Sequence, residues 1–550
     1  MIPPVDGRPA AEAAAVLAAR SATLWDAFVS TARDRDGEPF IVLPGRAGRD
    51  YAAEGAVVTY GEALQEAERR AAIFRANGFG PGHRVALMLD NRPEHTFCQL
   101  ALYAVGASQV PVNPDYLDHE LHYLLEHSEA DLALGLPHHM ERLSRVAGQT
   151  GTPAMPEADL ADIAAVASKG GAEGRGAEAA IIYTSGTTGR PKGCIIDHEH
   201  HFAVGTMYAA HQGRLALNHG GDRIFSPLPL FHINAGMNSL ATVILTGNAL
   251  IVPDRFHPDT WWRDIVETGA TAMHYLGVIP PLMLKREADE WETRHQLRYG
   301  LGAGIDPDLH RQFEERFKVP MVEVWGMTET GRFLADNHEP RRIHTRAFGK
   351  PFGELEARVV DDAMAEVPHG EPGELVVRAA GDDPRRGFFR GYLKNQAATN
   401  ESWAGGWFHT GDVVTQEPDG MLHFVERRKN IIRRSGENIS AAEVENALIG
   451  HSAVGGVAVL AVADELRDEE VMACIVPTGA ADDDTARAIF HHARDLVAYY
   501  KLPGWIAFVD DLPVTGTQKV RKDLIFPDLD DPREAPGIVD LRPLKKRNPR

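Results

Sequence analysis

The sequence predicts an α/β protein of two folding units: a large layered N-terminal domain of βα subdomains with a β-rich subdomain, and a small α+β C-terminal domain. Three observations predict it. The chain has 550 residues, more than one hydrophobic core ordinarily serves, so two or more domains are expected. Short β-branched runs alternate with helix-length stretches over most of it, which implies a layered α/β arrangement. Past Arg358 the strands follow one another with Pro and Gly punctuation, and a separate strand–helix set begins near Arg428. The boundaries read as 1–427, 428–526 and a tail over 527–550.

In chain order, Ala10 to Arg33 is alanine-rich with helical spacing, and Val57 to Tyr60 is a strand leading into a helix from Gly61 to Asn77. Gly78-Phe-Gly-Pro-Gly82 ends that helix with turn residues, Arg84 to Leu89 is a buried strand, Pro93 to Val105 a helix, and Gln109 to Val112 a strand. The segment Gly148 to Gly176, poor in large apolar groups, reads as a surface connection. Strands resume at Ala180–Tyr183, Cys194–Ile196, Arg223–Phe225, Ala249–Val252 and Ala270–Met273, and Arg358–Val360 with Gly373–Arg378 reads as antiparallel. The second unit carries helices at Ala441–Ile449 and Asp484–Leu496 and strands at Gly456–Val462 and Val471–Val476. Pro527 to Arg550, rich in proline and charge, is expected to be loosely held.

Composition excludes several classes. A net charge of −21 argues against nucleic acid, whose backbone recruits basic surfaces. Cys98, Cys194 and Cys474 are widely spaced, so neither a disulfide framework nor a thiolate metal site is expected, and they read as buried small hydrophobes. No run approaches the ~18 apolar residues of a membrane span, and Met1-Ile-Pro-Pro-Val-Asp-Gly7 lacks a secretion signal. No membrane association is expected, the cytoplasm is the default compartment, and a homodimer is left open.

The densest chemistry lies in Ile181-Ile-Tyr-Thr-Ser-Gly-Thr-Thr-Gly-Arg-Pro-Lys-Gly193. Glycines let backbone N–H groups converge on an anion, the hydroxyls of Thr184, Ser185, Thr187 and Thr188 add donors, and Lys192 adds charge. A Walker loop needs Gly-Lys-Ser/Thr and a following helix. Here Gly193 follows Lys192, Pro191 disfavours helix at Arg190, and β-prone runs flank the loop, so it joins two strands. A polyphosphate cradle at Thr184, Ser185, Gly186, Thr187, Thr188, Gly189 and Lys192 outranks a plain polar turn, which has no need of Pro191 and Lys192 in this order.

Thr184–Gly193 resembles the phosphate loop of the adenylate-forming superfamily of acyl-CoA synthetases, adenylation domains and beetle luciferases. Six further stretches are similar to that family's motifs and stand in its order: Pro229-Leu-Phe-His-Ile233, Gly302-Ala-Gly304, Trp325-Gly-Met-Thr-Glu-Thr330, Gly411-Asp412, Glu426 to Asn438, and Leu512 to Lys519. The resemblance covers nearly the whole chain. It implies ATP and AMP at Gly302, Ala303, Gly304, Trp325, Gly326, Met327, Thr328, Asp412 and Arg427. Trp325, where the family usually has tyrosine, would stack on adenine; a core tryptophan is the alternative. Asp412 would take the ribose hydroxyls; an isolated Gly-Asp is otherwise a turn. Glu329 is the carboxylate for Mg²⁺, or else an exposed helix-end glutamate.

The resemblance further implies that Lys519 stabilises charge on the α-phosphate during adenylation; a solvated lysine beside Arg521 and Lys522 is the alternative. Lys429 falls at the family's hinge, about which the C-terminal domain rotates, and Ser435, Gly436 and Glu437 at its coenzyme A approach. The acyl pocket is implied at His232, Asn234, Gly302, Gly326 and Arg332. His232 stands where amino-acid-activating domains carry an aspartate, which argues against an α-amino acid substrate; it gates or lines the pocket, or is simply packed. Arg332 pairs with a second substrate carboxylate or is a surface arginine, the latter preferred.

Together these imply a ligase that activates a carboxylic acid with ATP and passes the acyl group to coenzyme A, closest in look to the crotonobetaine/carnitine type. Gln518 stands where the family has glycine before the lysine, and its β-carbon restricts the backbone there. Two alternatives therefore stand beside the ligase: an enzyme that only transfers a preformed acyl-adenylate to coenzyme A, and a non-catalytic nucleotide-binding protein.

Overall fold

The computed structural model describes residues 9–184, 191–427, 431–434, 437–464, 468–494, 496–497, 499–514 and 520–545. Its first helical stretch is two helices, Ala10–Arg20 and Leu24–Asp34. Helical spacing runs through both, but Thr23 and Asp26 form a reciprocal cap that restarts the helix.

The N-terminal region holds two mixed sheets and an antiparallel one. The first runs in the spatial order Phe333–Ala335, Met321–Gly326, Tyr299–Ala303, Ala272–Leu276, Arg223–Phe225, Ala249–Ile251, Pro39–Leu43, Ala56–Thr59. It is parallel inside and antiparallel at both edges. Apolar strand residues such as Phe40, Ile224 and Tyr299 are fully buried with the helix residues Phe28 and Tyr60 in one core. Burial on both faces explains why these strands read as continuous apolar runs.

The second sheet is ordered Gly391–Tyr392, Lys192–Asp197, Glu178–Thr184, Ser108–Pro111, Arg84–Met88, Leu132–Gly135, Ala154–Pro156. The strands around the predicted phosphate loop form an antiparallel pair with Thr184 opposite Lys192, as the flanking β-prone runs require. Gly148–Gly176 is mostly exposed, with the short strand Ala154–Pro156 and buried Leu160 and Ile163 anchoring it. The third sheet is antiparallel, including Leu355–Val360 against Gly373–Ala379 in the expected pairing.

The C-terminal unit is richer in strands than its sequence suggests. Its long hairpin, Val454–Asp464 with Asp468–Pro477, is joined by Ile431–Arg434, Glu437–Ser440, Trp505–Phe508 and Val539–Asp540, with helices Ala441–Ile449 and Asp483–Arg494 packed on it.

The expectation of a loose tail over 527–550 does not hold for residues 527–545. Val539–Asp540 is an edge strand on Trp505–Phe508, Leu541 is fully buried, and Lys545 inserts its ammonium beside Glu470, both side chains 0% exposed. Lys545 Nζ donates to Glu470 Oε1 at 2.6 Å and to the Tyr500 carbonyl at 3.2 Å. Arg434 Nε also donates to both Glu470 oxygens at 2.9 Å. Average composition missed these few anchoring side chains. All three cysteines are buried, and no helix among the described residues is long and apolar enough to cross a membrane.

Candidate active site

The strand pair that bears the phosphate loop delivers its chemistry to Glu329. Gly391–Tyr392 pairs antiparallel with Cys194–Ile195 on the outer edge of that hairpin. This places the Tyr392 hydroxyl where it donates to Glu329 Oε1 at 3.0 Å, while the Cys194 thiol lies 3.7 Å from the same oxygen. Lys192 Nζ sits 4.8 Å from the centre of the Tyr392 ring. Burial, reinforced by the carboxylate, pushes the Tyr392 phenol up, so it remains a protonated donor. Glu329 is 7% exposed, which removes the exposed helix-end alternative. A buried carboxylate next to the strand Lys192–Asp197 that follows that loop suits Mg²⁺, which takes one or two carboxylates together with phosphate oxygens.

A second constellation joins two sheets. Trp325 ends the strand Met321–Gly326, and its Nε1 donates to Asp412 Oδ2 at 2.8 Å. Asp412 lies in the strand Phe408–Gln416, directly opposite Arg427 in the register, and Arg427 Nε reaches Oδ1 at 2.9 Å. Asp412 is 1% exposed and Arg427 a third exposed at the strand's end. The Trp325 ring is itself packed in a core with Phe348 and Leu334.

Beside them, the Gly302–Gly304 turn is clamped from beneath by Glu323. Its carboxylate accepts from the backbone N–H of Gly304 and Ile305 and from the Tyr275 hydroxyl at 3.1 Å. Burial pushes the Glu323 carboxyl up to about 7, against the pull of those donors. A β-carbon at position 302 would lie 2.3 Å from the Tyr275 carbonyl oxygen, and Gly304 has φ +85°, so both glycines are required by the turn. Ala303 between them is exposed, as are Gly326 and, in part, Met327 and Thr328 on the next strand end.

Of the acyl-pocket candidates, Asn234 opens a distorted helix and His232 stands two residues before it. Asn234–Ser239 is a single wide turn of the kind common at functional sites. It forms because Gly236 lets the Leu230 carbonyl pack against it: a β-carbon there would fall 1.8 Å from that oxygen. Asn234 Oδ1 meets His274 Nδ1 at 3.0 Å, and His274 Nε2 continues to the Tyr208 hydroxyl at 3.2 Å. His232 is partly exposed, lies against Phe231 with the two rings tilted at 51°, and has an Nε2 sealed from solvent with no protein partner among the described residues. Burial lowers its imidazole to about 4, so it is neutral at pH 7. Arg332 is not a surface arginine. Its side chain is 4% exposed, donates to the Arg386 carbonyl at 2.8 Å and lies over Phe388, because the 385–389 loop closes over it.

The AMP-binding enzyme family model matches residues 33–393, and the model of its C-terminal domain matches residues 443–519. The chain belongs to the AMP-binding enzyme family. It is an enzyme of the adenylate-forming, acyl-CoA ligase superfamily. Crotonobetaine/carnitine–CoA ligase of Proteus mirabilis is 28% identical over 487 residues, covering 84% of this chain and 92% of that protein. The enzyme of that name from Salmonella paratyphi A is 27% identical over 490 residues with the same coverage.

Among solved structures, ATP-bound MatB from Rhodopseudomonas palustris superposes with a TM-score of 0.75 at 24% identity, covering 92% of this chain and 99% of that one. The o-succinylbenzoate CoA synthetase of Bacillus subtilis, solved with its acyl-adenylate intermediate, superposes at 0.76 with 23% identity, covering 92% and 99%. The Bacillus enzyme has also been solved with ATP and a magnesium ion.

Within this AMP-binding fold, several predicted site residues lie outside the described residues: Ser185, Gly186, Thr187, Thr188 and Gly189 of the phosphate loop, Lys429 at the hinge position, Ser435 and Gly436, and Lys519. For Glu437 the backbone alone is described. Residues that sequence reasoning missed are Tyr392, Glu323 and Asn91. Asn91, 5% exposed, donates to the Leu228 and Pro253 carbonyls and accepts from the Leu230 N–H, fixing the segment that leads to His232. None belongs to a motif: Tyr392 acts across 63 residues, Asn91 across 139 to Leu230, and Glu323 across 18 to 48.

Proposed function

We propose that the protein is an AMP-forming acid–thiol ligase: it couples a carboxylic acid to ATP, releasing pyrophosphate, and transfers the acyl group from the adenylate to coenzyme A. The observation that carries this is the Trp325–Asp412–Arg427 constellation, a buried carboxylate held between an indole N–H and a partly exposed guanidinium. Such a carboxylate suits the paired hydroxyls of a ribose, with the loop Thr184–Lys192 taking the β- and γ-phosphates.

Glu329 would hold Mg²⁺, which when bound neutralises charge on the phosphates. Tyr392 orients that carboxylate. Lys519 offsets charge developing on the α-phosphate as the acid's oxygen attacks in line. Rotation about Lys429 then brings Ser435, Gly436 and Glu437 to the thiol's approach. His232, neutral and with one unpaired nitrogen, presents a single polar point to the acyl chain, while Asn234, Gly302 and Gly326 line it. The kinship with crotonobetaine/carnitine–CoA ligases supports a small polar acid without an α-amino group.

Pyrophosphate release measured across a panel of small carboxylic acids with ATP, Mg²⁺ and coenzyme A tests this, and no turnover with any acid by folded protein would refute it. A parallel arm supplies synthetic acyl-AMP and coenzyme A. Thioester from acyl-AMP but not from acid plus ATP would select the transfer-only alternative that Gln518 motivates.

A further inference from the structure

A second site lies at the carboxyl ends of the other sheet's parallel strands. Arg84–Met88 is followed in the chain by Ser108–Pro111 on one side of it and then by Leu132–Gly135 on the other. The connections therefore leave in opposite directions, through helices Pro93–Val105 and Asp118–Ser128, and the strand order reverses between Arg84–Met88 and Leu132–Gly135. In open α/β sheets ligands bind at that point. The register sets Met88 beside Gly135, so the residues just beyond the two strand ends are neighbours: Asp90 on one side, and the short 3₁₀ turn Pro137–His139 on the other.

Three donors converge there. His138 Nε2 is 3.0 Å from Asp90 Oδ2, and His139 Nε2 is 2.8 Å from Asp90 Oδ1. The two rings are tilted with centroids 4.0 Å apart. Among the described residues this is the one group of three such side chains whose donor atoms all lie within 4.8 Å of one another. Tetrahedral zinc with bonds of ~2.0–2.1 Å sets its donors ~3.3 Å apart, close to this spacing. Two imidazoles and one carboxylate make a borderline donor set that suits zinc and its transition-metal neighbours above magnesium or calcium.

We propose that Asp90, His138 and His139 bind a divalent transition-metal ion of the zinc class, with one coordination position left to water. The metal competes with protons for these ring nitrogens, so binding weakens in acid. The site adjoins Asn91, whose bonds to Leu228, Leu230 and Pro253 fix the segment leading to His232. A bound ion would stiffen that support from outside the nucleotide site.

The test uses the untagged full-length chain, stripped with chelator and free of nucleotide. Calorimetric titration with ZnCl₂ alone should show one ion per chain, and CoCl₂ should give the intense visible bands of a tetrahedral site. His138 is 56% exposed, so His138→Ala leaves packing intact; it should weaken binding roughly tenfold or more, as loss of one of three protein ligands demands, and Asp90→Asn should abolish it. Absence of a zinc isotherm with the natural chain overturns the proposal. So does an isotherm unchanged in both variants, which would assign the metal to other histidines, or a cobalt spectrum that stays that of the aqueous ion.

Discussion

The bond between Trp325 and Asp412 allows a quantitative test of the nucleotide site. Asp412 is 1% exposed, and its Oδ2 accepts from the indole N–H at 2.8 Å. A hydrogen bond to a charged group contributes ~1.5–3 kcal/mol, and each ~1.4 kcal/mol is tenfold in affinity. Trp325→Phe keeps an aromatic ring in the core but removes that donor, and Asp412→Asn removes the charge. If Asp412 receives the ribose and Trp325 fixes its position, each single variant should weaken AMP binding about tenfold or more. The double variant should be little worse than Asp412→Asn alone, a coupling of ~1.5–3 kcal/mol in the cycle. Calorimetric titration with AMP avoids turnover, and thermal unfolding separates any cavity cost of the smaller ring. Effects that add to within ~0.5 kcal/mol would refute the reasoning, because they would mean that Trp325 meets the nucleotide independently of Asp412.

Lys519→Ala should lower acid-dependent pyrophosphate release by roughly 10²–10³, while thioester formation from synthetic acyl-AMP stays within a few-fold; equal loss in both assays would contradict its assignment to the first half-reaction. Stability should fall as pH drops from about 6.5 toward 4. Burial lowers His95, His198, His211 and His274 to about 4, so across that window the unfolded chain binds more protons than the folded one. Glu323, raised to about 7, and Asp197, raised to about 6, work in the opposite sense but are fewer. A melting temperature flat over this range would count against the burial of these imidazoles. Gly236→Ala drives a methyl to 1.8 Å from the Leu230 carbonyl; overpacking of this kind costs ~1–3 kcal/mol. It should lower the melting temperature and raise KM for the acid more than for ATP, and unchanged values of both would show that the wide turn does not shape the acyl pocket.

What the sequence disclosed is what neighbours in the chain determine. The hairpin around Thr184–Lys192 was legible because β-branched runs flank a Gly- and Pro-rich turn, and the helix Pro93–Val105 because proline opens it and Gly106 closes it in the left-handed region. The contacts that give the site its electrostatics were not legible. Tyr392 meets Glu329 across 63 residues, Trp325 meets Asp412 across 87, and Asp90 meets His139 across 49, each brought together by sheet order and register. Burial of Arg332 depends likewise on a loop that closes from residues 385–389.

The ion cluster of Arg434, Glu470 and Lys545 has a consequence for how this chain can be shortened. Glu470 and Lys545 are fully enclosed, and Arg434 stands at the end of the strand that leads into Ser435 and Gly436. Withdrawing the carboxylate that both cations share would strand buried charge and cost ~3–5 kcal/mol. A chain clipped before Lys545 would lose the ammonium that donates to Glu470 and to the Tyr500 carbonyl, and with it one of the contacts that ties residues 539–545 to the strand Ile431–Arg434. The far end of the polypeptide is thus a keystone for a segment more than a hundred positions upstream.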